Sequence, residues 1–208
     1  LKILMTGFQP FGGESVNPSH EAVRLMPNTV CGCEIVKMEL PVEYARAAEL
    51  TADAIDEVQP EIVIMTGQAG GRAGISPEAI AINFADTSAA DNAGVVHTGD
   101  RIDADAVSAY FSTLPFIDIV NELRSRGVTA YLSNSAGAYV CNDLMFRVLH
   151  YLVSVGKSDD VLCGFVHVPY ADEQGKTPCM SISEMARGLE ICAEVCVIHY
   201  NKINFGNF

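Results

Sequence analysis

A thiol, an imidazole and a carboxylate stand in this sequence where they could act together. Cys141 lies in the run Ser133-Asn-Ser-Ala-Gly-Ala-Tyr-Val-Cys141-Asn-Asp-Leu-Met-Phe146. The small residues Ser135, Ala136 and Gly137 let the chain turn sharply and let a ligand approach the backbone. Leu144, Met145, Val148, Leu149 and Leu152 fall at helical spacing and predict a helix running to about Gly156. Val128–Leu132 reads as a short buried strand. Cys141 is thus expected in the first turns of a helix that starts at a strand end, where unpaired amides and the helix dipole favour a thiolate. Free cysteine is also among the most buried and inert residue types, so this position alone decides little.

His167 ends an apolar stretch, Val161 to Val168, in which Val161, Cys163, Phe165 and His167 share one face of a strand. A histidine after an apolar strand is more often a satisfied core residue than a functional one. The other histidines are weaker: His20 and His150 fall on predicted helices, His97 in a loop and His199 near the terminus. Glu78 follows the turn Gly67-Gln-Ala-Gly-Gly-Arg72 and precedes an apolar run, where a surface glutamate would look the same. Cysteine hydrolysis needs a thiol, a base within hydrogen-bonding reach and a third group that orients the base.

Other chemistries find less support. Gly12, Gly13, Gly67, Gly70 and Gly71 form neither a Walker pattern nor GxGxxG. Cys31-Gly-Cys33 is too close for a CxxC pair, Cys192 and Cys196 share a face of the last predicted helix, and no spacing suits a tetrahedral zinc site. Phe8 and Phe11, flanking Gln9-Pro10, fit ordinary turn packing or the apolar walls of a small pocket, with Gln68 as a neutral polar contact.

The elements that must position these residues follow from the chain's periodicity. Leu1–Phe8 and Ile62–Thr66 read as strands, each running into a glycine-rich turn, and Cys33–Leu40 alternates like another. Asn17-Pro18 is an N-cap with proline at the first helical position, opening a helix to about Met26. Glu43–Val58 reads as an amphipathic helix with Ala47, Ala48, Ala54, Ile55 and Val58 inward. Glu78–Phe84 alternates weakly as a strand, Ala85–Arg101 as a long polar loop and Asp105–Leu114 as a helix; Phe116–Arg126 is helical and ends at Gly127. Ser181-Ile-Ser-Glu184 has capping-box spacing and opens a last helix through Ile198. Strands alternating with helices, without repeat or linker, predict a single three-layer α/β/α domain over residues 1–208 with a mostly parallel central sheet. In such sheets sites gather at the carboxyl ends of strands. Phe8–Gly13, Gly67–Arg72, Ser133–Cys141 and His167–Tyr170 all belong there.

Composition narrows the partners. A net charge of −13 with no basic cluster disfavours nucleic acid and anionic membranes. A long charge-free run, Val128–Asn142, is interrupted by Asn and Ser and does not read as a membrane span. Seven cysteines, an odd count, with an N-terminus that lacks a signal peptide's layout, point to reduced thiols in a cytoplasm.

Several blocks occur in one order: Thr6-Gly-Phe-Gln-Pro-Phe-Gly-Gly13 with Asn17-Pro18; Gly67-Gln-Ala-Gly-Gly-Arg72 with Glu78 and Ala81-Ile-Asn83; Asp91-Asn92; Ser135-Ala-Gly-Ala-Tyr-Val-Cys141-Asn142; and Gly164-Phe-Val-His-Val-Pro-Tyr170. From Leu1 to about Tyr170 the chain strongly resembles the pyroglutamyl peptidase I family, also called pyrrolidone-carboxylate peptidases. These are cysteine peptidases that remove N-terminal pyroglutamate. The resemblance implies Cys141 as nucleophile, His167 as general base and acid, and Glu78 as third member. It implies a substrate pocket of Phe8, Phe11, Gln68, Tyr139 and Val140, no metal or other cofactor, small pyroglutamyl peptides as substrates, and a homo-oligomer such as a tetramer. Pyroglutamate has no free ammonium, so its pocket needs apolar walls and amide partners but no counter-carboxylate. Two stretches depart from the family pattern: Tyr139 stands where Phe is usual, and Thr87-Ser-Ala-Ala-Asp-Asn92 where Ala-Arg-Ile-Pro-Asp-Asn is common. Ser88 thereby replaces an arginine. The alternatives are a cysteine amidase with a shifted substrate and a catalytically silent ligand-binding homologue. A phosphorylase-like nucleoside enzyme fits the α/β layout, but no phosphate-binding arginine set is evident.

Overall fold

A computed structural model describes residues 1–206. The first half of the chain forms β1 (Lys2–Phe8), α1 (Pro18–Leu25), β2 (Thr29–Val30), β3 (Cys33–Leu40), α2 (Arg46–Val58), β4 (Ile62–Gln68), β5 (Ser76–Pro77), β6 (Ile80–Ile82), β7 (Ala85–Asp86) and β8 (Thr98–Asp100). There follow β9 (Ala109–Phe111), α3 (Phe116–Ser125), α4 (Val140–Ser154), β10 (Leu162–Val168), β11 (Tyr170–Ala171), β12 (Cys179–Met180) and α5 (Ile182–Phe205). The main sheet has the order β2-β3-β1-β4-β10-β5. Its four long strands are parallel, while β2 and β5 pair antiparallel at the two edges, so the sheet is mixed.

Side-chain alternation divides the core. Ile3 and Met5 of β1 and Ile62 and Ile64 of β4 pack with residues of α1, α3 and α5. Leu4, Phe8, Val63 and Met65 point the other way and pack with α2 and α4. Cys163 and Phe165 lie on this second face. The period of two along β10 therefore turns His167 toward the helix that carries Cys141. The helix starts follow the expected chemistry. Asn17 Oδ1 accepts from Ser19 N at 3.1 Å with Pro18 next in line, and Ser181 Oγ accepts from Glu184 N at 3.2 Å. Asn17 also donates its amide to Gln9 O at 2.9 Å, which ties the turn after β1 to α1. The last helix continues seven residues past the expected end at Ile198, to Phe205.

Three segments differ from the expectations. Val128–Leu132 is no ladder strand; it meets the β5 region only through bridges at Ile75–Ala130 and Glu78–Ser133. Asp105–Leu114 forms no helix. Instead β9 pairs antiparallel with β6, because the Asn83 side chain claims the backbone of Asp103 and Val107 and Asp103 Oδ1 accepts from Asp105 N and Ala106 N. Residues 85–101 are not an open loop: β7 and β8 pair as a hairpin, and the buried Asp91 carboxylate accepts from Ala93 N, Val95 N and Tyr44 N at 2.8–2.9 Å. No helix among the described residues is long and apolar enough to cross a membrane.

Candidate active site

β1, β4 and β10 end at the same edge of the sheet, and the residues singled out above meet there. In the register of β4 and β10, Gly67 lies beside His167 and Gln68 beside Val168. Gly67 must lack a side chain: a Cβ there would stand 3.0 Å from Cys141 Sγ and 2.8 Å from Phe165 Cζ. The sulfur of the second residue of α4 therefore packs on the strand position adjacent to His167, one interstrand spacing of about 4.8 Å away.

His167 is buried, and its Nδ1 lies 2.6 Å from Glu78 Oε1. With Nδ1 engaged, Nε2 is the ring nitrogen left for other work. The Phe165 ring packs against the imidazole at a centroid distance of 4.7 Å. Glu78 reaches this position through the sheet edge. Ser76 of β5 pairs with His167, Glu78 N donates to Phe165 O at 2.9 Å, and Ala79 N donates to Ser133 O at 2.8 Å. Arg72, whose part spacing did not reveal, approaches from the glycine-rich turn. It donates from Nη1 to Glu78 Oε1 at 2.5 Å and Ser76 Oγ at 2.7 Å, and from Nη2 to Ser135 O at 3.2 Å. Two donors thus share one carboxylate oxygen, while Glu78 Oε2 is buried with no hydrogen-bond partner among the described residues.

Electrostatics follow from burial set against these contacts. Burial alone raises the Glu78 carboxyl, but the His167 hydrogen bond and charge, with Ser133 and Arg72 acting in the same direction, hold it below the ordinary range. Burial lowers His167 below its usual 6.5, Glu78 partly restores it and Arg72 lowers it again. Burial pushes the Cys141 thiol up to about 12; the Glu78 charge adds to this, and Arg72 and the cysteine's own backbone amide oppose it. Desolvation thus opposes the thiolate that the helix start favours. Cys141 as a residue nonetheless keeps a partly exposed surface.

The expected pocket residues divide by depth. Phe8 is buried, with its ring 6.5 Å from that of Phe165, and its amide is held by Ser19 Oγ at 3.0 Å. Phe11 and Tyr139 are half-buried and pack ring to ring at 6.3 Å. Gln68 ends β4 half-buried, its Oε1 enclosed and without a partner among the described residues. Val140 is fully buried at the start of α4. Tyr44 and His97 were missed by sequence reasoning. Tyr44 stands edge-on to Tyr139 at 5.6 Å, and the His97 ring stands edge-on to Tyr44 at 4.5 Å, which extends the aromatic wall onto the hairpin.

A thiol packed one strand position from a buried imidazole that a carboxylate fixes, with aromatic rings clustered at the carboxyl ends of an α/β sheet, supplies the parts of a cysteine hydrolase as a class. The pyroglutamyl peptidase family model matches residues 1–199, and the chain belongs to that family. It is 43% identical over 207 residues to the pyrrolidone-carboxylate peptidase of Clostridium perfringens, covering 98% of this chain and 96% of that protein. The Lactobacillus helveticus pyrrolidone-carboxylate peptidase is 42% identical over 201 residues, with 95% and 100% covered. In structure the chain is similar to Bacillus amyloliquefaciens pyroglutamyl peptidase I, with a TM-score of 0.91 at 36% identity over 96% of this chain and 98% of that one. It is likewise similar to a mutant pyrrolidone carboxyl peptidase from Pyrococcus furiosus, with a TM-score of 0.90 at 37% identity over 95% and 99%.

Proposed function

We propose that this chain is a cysteine peptidase that releases N-terminal pyroglutamate from small peptides, with Cys141 as nucleophile, His167 as proton carrier and Glu78 as the group that orients His167. The observation that carries the reading is the packing of Cys141 Sγ on Gly67, next in register to a histidine whose Nδ1 is held at 2.6 Å by Glu78.

The steps follow from a site whose thiol and imidazole both rest neutral. His167 Nε2 takes the thiol proton as sulfur attacks the pyroglutamyl carbonyl carbon. The C=O electrons move to oxygen, and backbone amides at the start of α4 stabilise the oxyanion. The carbon–nitrogen bond breaks as His167 passes its proton to the departing amine, leaving a thioester. Water, deprotonated by the same imidazole, then attacks the thioester, and free pyroglutamate leaves as the thiol is restored. Glu78 stabilises the imidazolium that forms twice in this cycle. No step calls for a metal or other cofactor.

Phe8, Phe11 and Tyr139 suit the apolar faces of the lactam ring, Gln68 suits its amide, and Val140 backs the pocket from the start of α4. We further infer one three-layer domain over residues 1–208, a cytoplasmic location and a homo-oligomer, for which sedimentation equilibrium distinguishes tetramer from smaller species. The central test is hydrolysis of a pyroglutamyl fluorogenic amide against prolyl and glutaminyl amides. The wild type should cleave the pyroglutamyl compound selectively, and Cys141→Ser should reduce the rate by about a thousandfold or more. Equal cleavage of all three amides, or an active Cys141→Ser protein, would remove the assignment.

A further inference from the structure

Arg72 has no part in the scheme above, yet it joins three separate pieces of the site's framework. Its guanidinium holds Glu78 at the oxygen that also faces His167, caps Ser76 in the strand paired with His167, and reaches Ser135 O in the segment leading to α4. Arg72 is about a quarter exposed and Glu78 not at all, so the ion pair spans the site from its rim to its floor.

The arrangement raises a question of charge. A carboxylate with no solvent exposure is costly unless a cation or several donors compensate it. The groups bearing on His167 are Glu78, Arg72 and the Cys141 thiol. With a neutral imidazole and a neutral thiol, the cluster's charges are those of Arg72 and Glu78, and they cancel. Without Arg72 the same state would hold one uncompensated buried negative charge, which the cluster can relieve by binding a proton at the His167–Glu78 pair. His167 would then be occupied at a pH where it must be free to accept a proton from sulfur.

We propose that Arg72 is a positioning residue for the reaction: its guanidinium keeps Glu78 an anion aimed at His167 and so fixes the number of protons on the pair. This inference rests on the assignment of Cys141, His167 and Glu78 under the proposed function. It adds that the charge at position 72, beyond the shape of the side chain, sets the acid limit of activity. Arg72→Gln and Arg72→Met both remove the charge while filling much of the space, and Arg72→Lys keeps the charge but loses the fork.

The test is the pH dependence of pyroglutamyl amide hydrolysis in these variants. Beside it runs the pH dependence of iodoacetamide alkylation at Cys141, located by peptide mass. The neutral variants should lose activity and alkylation at a pH about one unit or more above the wild-type limit, while Arg72→Lys stays near the wild type with a lower rate. A neutral variant with the wild-type limit, or a lysine variant displaced as far as the neutral ones, would overturn the proposal. Two neutral variants guard against a folding failure of either. If no pyroglutamyl amide is cleaved but the alkylation limit moves as described, the substrate reading fails and the part given to Arg72 stands.

Discussion

In the proposed mechanism His167 is the base, and its availability is decided by what surrounds it. Burial and the neighbouring Arg72 lower its proton affinity, and Glu78 raises it, with a net result below 6.5. The sign of the pH dependence follows. At neutral pH the imidazole is free to accept the thiol proton, and activity falls only as the pH drops through a value below 6.5 and the ring becomes protonated. Because the Cys141 thiol is pushed up to about 12, no second rise from thiolate formation should appear around neutrality. A kcat/KM profile with one acid limb below 6.5 and a plateau through pH 8 is expected, and a limb centred near pH 8 would contradict it.

At the scale of elements, the β7–β8 hairpin is held over the aromatic slot by contacts from four directions. Tyr139 Oη donates to Ala90 O at 2.9 Å, Asn92 Nδ2 to Pro10 O at 3.0 Å, Asn92 N to Val42 O at 2.9 Å and Asp86 N to Ala138 O at 3.1 Å. The hydroxyl of Tyr139, absent from the phenylalanine usual in the family, thus clasps the segment in which the arginine and proline of the family pattern are replaced. Tyr139→Phe leaves the ring packing on Phe11 and Tyr44 and removes one neutral hydrogen bond worth about 0.5–1 kcal/mol. If the hairpin helps to close the slot, KM for a pyroglutamyl peptide should rise roughly two- to fivefold with kcat nearly unchanged. An unchanged KM would show that the clasp is irrelevant to binding.

For the whole molecule, the cysteines report the packing. Cys31 and Cys179 are exposed and Cys141 partly so, while Cys33, Cys163, Cys192 and Cys196 are buried. Native alkylation should therefore tag exposed Cys31 and Cys179, and Cys141 with His167 taking its proton, while the remaining four react only after denaturation; the mass increments read this directly. Tagging of Cys192 or Cys196 in the native protein would mean that α5 does not pack as described. The same helix packs tightly. Gly188 lies against Ile75, and any side chain there would collide with the isoleucine.

Much of this was legible along the chain because it is local. Asn17-Pro18 and Ser181…Glu184 start helices through contacts two or three residues away, and the apolar runs of β1, β4 and β10 can be satisfied only in a sheet interior. Cys141, His167 and Glu78 were recognisable as a set through the order of their motifs. What neighbours in sequence could not supply is the pairing of distant groups. His167 meets Glu78 across 89 positions, and Ala45 N finds the Asp143 carboxylate across 98. Residues 85–101 and 105–114 were misjudged for the same reason, since Asp91 and Asn83 spend their side chains on backbone that only the folded chain brings near. The sequence by itself determined the long strands and most of the helices, the chemistry available and the family to which it points. The tertiary structure alone decided that Arg72 shares the Glu78 oxygen facing His167, and that burial pushes the Cys141 thiol up, because burial and long-range contact exist only once the chain has closed on itself.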